Sequence, residues 1–422
     1  MILNILVQFK MNFYLSLIAV LFFFVTAGAK TVYDTPNCKV QHLFCSKGNK
    51  YIIRYEHSFS DTLRIPRNCK IEFRGGAFIG PIIFNQTELS GKVNLIGSSI
   101  HGTITNKKFD ASWLCYRNGK NDDAKSINEI INMVSYVFFP KGKYMLISKY
   151  NVPKGLPGRI NAHIGINRSN KLLEGENGTV FMTNEPLGTI CVFSAPNQIS
   201  NSTRNIRIKG ITFEVQNDGK SFYEFMHTIR AIGVNGLVIE KCLFTDFWGD
   251  AICLSTYDDT PETGERTRNQ NVTIKNNIII GGNHHSNRNG ISVVNGKNVL
   301  ITGNIICNTS RKNMPGGIDV EPNNSAYTIE NIRIERNNLD GIWGSNGAIS
   351  VVSFKDGPVH NITITDNKIT NSTCGLYFYL KTEGTTSGYT IKGNYTDEKT
   401  VPYRFVGSGS SMNWCVTGNH FK

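Results

Sequence analysis

Eight segments in the second half of the chain repeat one template. They are NIRIKGITF (205–213), GLVIEKCLF (236–244), NVTIKNNII (271–279), NVLITGNII (298–306), NIRIERNNL (331–339), NITITDNKI (361–369), GYTIKGNYT (388–396) and NWCVTGNHF (413–421). Apolar residues fall on alternate positions, and a two-residue bend follows whose second member is usually asparagine: Asn277, Asn304, Asn337, Asn367, Asn394 and Asn419. A helix needs a period near 3.6, whereas the period here is 2. The bends recur after 27, 33, 30, 27 and 25 residues, so the unit is a coil of variable length. Strand, bend, strand and turn at this length predict a parallel β-solenoid whose coils stack about 4.8 Å apart. Asparagines aligned at the bend can hydrogen-bond up the stack and satisfy backbone groups that a tight corner leaves open. Ile211 and Cys242 hold that position in the two earliest coils, so the ladder is expected to begin at Asn277. A β-sandwich is the competing all-β reading, but Asn-Gly hairpin signals are few.

A second strand in each coil follows a glycine or small residue: GDAICLS (249–255), NGISVV (289–294), GGIDVEP (316–322), GAISVVS (347–353) and CGLYFYL (374–380). With Ile252, Ile291, Ile318, Ile349 and Leu376 set inward, Cys253, Ser292, Asp319, Ser350 and Tyr377 point outward. Two residues on, Ser255, Val294, Glu321, Val352 and Tyr379 do the same. Asp319 and Glu321 are therefore expected on a solvent-facing surface, where carboxylates meet no burial penalty.

Residues 1–29 contain one lysine, Lys10, an apolar run from Phe13 to Val25, and small residues at Ala27 and Ala29. This is the pattern of an export signal cut after Ala29, so the mature protein is expected to be secreted, or periplasmic if bacterial. No later apolar run is long enough to span a bilayer. The formal charge of +13 falls to +12 when Lys10 goes with the signal, an excess that attracts polyanions. Lys and Arg are scattered and no nucleic-acid-binding motif occurs, so an acidic polysaccharide is the expected partner rather than nucleic acid. Among ten cysteines, Cys38 and Cys45 can close a small loop. Cys242, Cys253, Cys307, Cys374 and Cys415 lack zinc-ligand spacing and are expected mostly as buried thiols, with one or two disulfides in the chain. Residues 30–110 form a small β-rich module. A helix around 122–135, started by Asp122 or Asp123 and carrying Ile127, Ile130, Ile131 and Val134 on one side, is expected to cap the solenoid.

The order NGK-NDD, helix, VFFPKGKYML and then coils ending in I-x-x-N resembles the pectate-lyase-like superfamily, particularly the branch shared by secreted glycan-degrading enzymes and phage tailspike depolymerases. The resemblance covers residues 111–422. It implies an all-β right-handed parallel β-helix that cleaves or binds polysaccharides along an elongated face, with catalytic residues on outward positions of adjacent coils; trimeric assembly is compatible with this architecture. Signatures of the best-known branches do not carry over. Asp258 and Asp259 sit in a Thr/Pro/Glu loop, His284 and His285 lack flanking glycines, Arg207-Ile208-Lys209 comes too early, and the Arg-x-Pro-x-x-Arg pattern of pectate lyases is absent.

The candidate site is the face around the second strand. Asp250 lies two residues before Ile252, His285 and Arg288 occupy the turn before Ile291, Asp319 and Glu321 flank Val320, and Tyr377, Tyr379 and Lys381 extend the same face. Hydrolysis needs one carboxyl to protonate the leaving oxygen and a second to act on water or carbon. Residues two apart on a strand have Cβ atoms about 6.6 Å apart, which suits Asp319 and Glu321, with Asp250, to an inverting pair. β-Elimination from a uronic acid would instead use His285 as base, Arg288 and Lys381 against the sugar carboxylate, and Asp319 and Glu321 holding Ca2+; no other metal is expected. Tyr377, Tyr379, Trp248 and Trp343 are candidate sugar platforms. The expected function is a secreted enzyme cleaving glycosidic bonds of a polysaccharide, hydrolase and lyase chemistry both open. The alternative is a non-catalytic glycan-binding or tailspike-like adhesion protein.

Overall fold

The computed structural model describes residues 29–152, 160–194, 203–216, 223–257, 267–281, 288–309, 316–344, 346–353, 357–380, 386–407 and 414–422. The expected export signal, apart from Ala29, lies outside them. The chain divides into two compact units, residues 1–106 and 107–422. In the first, short strands pair in parallel, from Thr31–Tyr33 through Lys50–Ile53 and Lys70–Phe73 to Pro81–Gly91 and Ser99–Ile104. No described helix is long and apolar enough to cross a membrane.

The second unit is a parallel β-helix. Among the described residues its strands form three sheets, two of eleven strands and one of nine, which the chain visits in turn so that each strand pairs with its counterpart one coil away. The coil Asn269–Lys275, Ile278–Ile280, Ile291–Val293 shows the pattern. Every ladder in the unit is parallel, and the alternation read from the sequence is the alternation observed: Val272, Ile274, Val299, Ile301, Ile332, Ile334, Ile362 and Ile364 are all buried. In the second sheet, Phe181 lies edge-on to Phe139, and Phe213 stacks on Phe244 with centroids 5.0 Å apart. Ile279, Ile306, Leu339 and Ile369 continue the inner column.

The bend between the first two sheets carries the expected ladder. Asn277 donates through N and Nδ2 to Asn304 Oδ1, both at 3.0 Å, and Nδ2 also reaches Ile239 O at 3.0 Å. The motif repeats through Asn337, Asn367, Asn394 and Asn419. It begins where the backbone N–H of Cys242 donates to Asn277 Oδ1 at 3.0 Å. The residue before each asparagine is left-handed, at Asn276, Gly303, Arg336, Asp366, Gly393 and Gly418, which turns the corner and aims the amide inward. A second, outer ladder joins Asn235, Asn271, Asn298, Asn331 and Asn361. Cys242 sits at the head of the inner ladder with Sγ 3.9 Å from Ile208 O, the acceptor an amide would take. Cys242→Asn is expected to extend the ladder by one rung and stabilise the protein by about 1 kcal/mol, read as a raised urea midpoint.

Helix Ala124–Met133 buries Ala124, Ile127, Ile130 and Ile131. Asp123 occupies the N-cap position, but its carboxylate accepts Tyr116 N and Arg117 N, and the first helical N–H, that of Ala124, donates to Asp122 Oδ1 at 3.0 Å instead. Asn128 donates to His163 O and accepts from Gly165 N, so a helix side chain satisfies backbone groups of Ala162–Ile166, the edge strand of the third sheet. All ten cysteines are free thiols, so the expected disulfides, including Cys38–Cys45, are not made. Cys242, Cys253 and Cys374 are buried instead.

Candidate functional site

The outer face of the third sheet aligns one residue per coil. In register stand Arg230, Cys253, Ser292, Asp319, Ser350, Tyr377 and Arg404. Asp319 points outward from Ile318–Val320 as expected, yet it is only 3% exposed. The solvent-facing expectation fails because Glu224, Phe225, His227 and Arg288, from turns outside the repeat, line a cleft over this stretch, about 100 Å³ in volume, together with Asp250, Asp319 and Glu321.

Inside the cleft the carboxyls divide into two states. Ser350 Oγ donates to Asp319 Oδ1 at 2.5 Å, and Asn289 Nδ2 to Oδ2 at 3.3 Å. Burial raises the Asp319 carboxyl and the charge of Asp250 adds to this, while Ser350, Arg288 and a hydrogen bond to the Glu321 side chain pull against it. The Asp319 and Glu321 side chains are thus in hydrogen-bond contact, and burial on balance raises Asp319. Asp250, only 1% exposed, is the opposite case. Burial alone would raise it, but Arg288 and His227, with Asn289 N donating to Oδ1 at 3.0 Å, bring its carboxyl down to about 2. Asn289 thus touches both acids, through its backbone to Asp250 and its amide to Asp319.

Arg288 is not the exposed substrate clamp expected from sequence. Its side chain is 19% exposed, Nη1 pairs with Glu224 Oε1 at 3.2 Å, and Asp250 and Asp319 also hold its charge. His227 Nδ1 lies 3.1 Å from the Asp250 backbone N and 3.3 Å from Asp250 Oδ2, and burial lowers the ring's affinity for a second proton while the Asp250 carboxylate works the other way. The donor atoms of His227, Asp250 and Cys253 lie within 4.8 Å of one another. Arg288 already holds the charge of Asp250 and Asp319 beside them, which disfavours a second cation at either pair of acids.

Tyr377 and Tyr379 are half-buried on the outward face. Phe225, at the cleft itself, is 68% exposed. Trp248 is buried, its Nε1 donating to Glu185 O, and serves packing rather than sugar stacking, whereas Trp343 is 52% exposed. His284, His285, Lys381, Asp258 and Asp259 lie outside the described residues. The structure adds Glu224, Phe225, His227 and Asn289 to the site. Of these only Asn289 had a visible signal, its place at the head of NGISVV.

The profile of the family described as "Right handed beta helix region" matches residues 175–421, more than half of the chain. The protein belongs to the right-handed β-helix family. The ladders above are those of a right-handed β-helix. Among solved structures this β-helix is similar to a tailspike capsular polysaccharide depolymerase of Acinetobacter baumannii bacteriophage Fri1, with 13% identity, TM-score 0.48, and 75% of this chain and 59% of that one covered. It is also similar to an alginate lyase from Paenibacillus, with 12% identity, TM-score 0.46, and 76% and 95% covered. A third is PfbA, a surface adhesin of Streptococcus pneumoniae, with 14% identity, TM-score 0.44, and 69% and 79% covered. No curated protein matches the sequence.

Proposed function

We propose that this right-handed β-helix is an exported enzyme that hydrolyses glycosidic bonds in a polysaccharide at the Asp250–Asp319 cleft. One observation carries the reading: a single cleft brings together two buried acids bridged by Asn289, Asp319 raised by burial and Asp250 lowered by Arg288 and His227. Environments that push two acids apart in this way define an acid and a base. Asp319, backed by Glu321, protonates the leaving oxygen, and ionised Asp250 takes the proton of the attacking water. The exposed ring of Phe225 on one side, and Tyr377 and Tyr379 on the other, offer faces on which sugar rings stack.

The pH dependence follows from the same groups. Activity needs Asp319 protonated and Asp250 ionised, so it persists into acid and is lost as pH rises through the raised value of Asp319. Stability runs the same way on that limb: between the unfolded and folded values of Asp319 the native state binds more protons, so the protein weakens as pH rises there. The test incubates the protein with neutral and acidic polysaccharides and follows reducing ends together with the ultraviolet absorbance of unsaturated uronyl products. Reducing ends alone are expected. Absorbance rising with them replaces hydrolysis by elimination, and silence in both replaces the enzyme by the glycan-binding alternative.

A further inference from the structure

Arg288, the cation nearest the acids, is spent on Glu224, Asp250 and Asp319, so recognition of charge on a substrate must come from elsewhere on the face. The register leads to it. Beyond Asp319 the outward column runs Ser350, Tyr377, Arg404, and over these steps the face opens: Ser350 is fully buried, Tyr377 half-buried and Arg404 exposed. Tyr379 stands beside Tyr377 in the neighbouring column, two residues along the same strand. Among the described residues no ion pair joins Arg404 to a carboxylate. Three coil spacings put it about 14 Å from Asp319 along the helix axis.

We infer that Arg404, with the rings of Tyr377 and Tyr379, forms a subsite for a negatively charged sugar, its guanidinium pairing the carboxylate or sulfate while the rings take the sugar face. The subsite rests on the glycan-cleaving reading of the adjoining cleft and adds to it that the substrate is an anionic glycan. A guanidinium presents two parallel N–H groups to either anion, which makes it selective for charge and plane together. The formal excess of +13 on the chain favours the approach of such a polymer.

The test measures binding by Asp319→Asn protein, which does not turn its ligand over, and by the same protein with Arg404→Gln added. The ligands are alginate oligosaccharides, which carry carboxylates, carrageenan oligosaccharides, which carry sulfates, and the carboxyl-reduced and desulfated forms of each. Arg404→Gln is expected to weaken binding of one charged series by about tenfold, to flatten its salt dependence, and to leave the neutral forms unchanged at matched melting temperature. The series that responds names the anion. Neutral forms bound as tightly as charged ones, equal losses on both, or no binding of either charged series would overturn the subsite. Charge-dependent binding lost with Arg404 in a protein that cuts no glycan would keep the subsite and remove the cleavage reading. Cleavage of neutral glycans that ignores Arg404 would do the reverse.

Discussion

Asn337→Leu is expected to cost the protein about 4 kcal/mol. Asn337 Oδ1 accepts from both Asn304 N and Asn304 Nδ2, at 3.0 and 2.9 Å, and its own Nδ2 donates to Ile301 O and Asn367 Oδ1. Leucine fills a similar volume but strands the Asn304 N–H and amide and the Ile301 carbonyl in a corner where Asn337 is 1% exposed. Each buried group left unpaired costs about 1–3 kcal/mol. The control is Asn331→Gly in the outer ladder, where Nδ2 donates to Asn298 Oδ1 near solvent and φ is +57°. Glycine keeps that backbone at little strain, and the loss should stay below about 1 kcal/mol. Urea unfolding of both variants decides it: equal losses would mean that the inner ladder is decoration on a fold held by its apolar columns alone.

The contrast between the two ladders also marks what could be read in advance. A strand alternates with period 2 without drift, so the sides taken by Ile318, Asp319, Val320 and Glu321 were legible from one inward isoleucine per coil. The inner asparagines were legible because stacking requires the same chemistry at every bend, and the gap at Ile211 and Cys242 foretold where the ladder starts. The left-handed residue before each asparagine was not, since Lys241, Asn276, Gly303, Arg336 and Asp366 share a conformation and little chemistry. Burial of the site escaped for a different reason. The side a residue faces is local information, but whether that side is covered depends on segments outside the repeat, here Tyr223–Thr228 and Arg288. They carry no periodicity and reach Asp250 and Asp319 only through the tertiary fold.

Asp319→Asn is expected to lower kcat on an unactivated glycan roughly a hundred- to ten-thousandfold, with little change in KM. The substitution keeps the shape of the side chain and an oxygen able to accept from Ser350 Oγ, so the melting temperature should move little and the loss can be assigned to the proton. That assignment has its own readout. A glycoside whose leaving group departs as a stable phenolate needs no proton, and on it the variant should recover most of the lost rate. Asp250→Asn should not recover, because a better leaving group does not replace the base. A variant that is equally slow on both substrates would remove Asp319 as the acid. Glu321 sharpens the point, since its hydrogen bond to the Asp319 carboxyl favours the ionised form against the burial that raises it. Glu321→Ala removes that bond, so the alkaline limb of kcat should move to higher pH while the acid limb, set by Asp250, stays in place. A shift of both limbs, or of neither, would mean that Asp319 does not hold the catalytic proton.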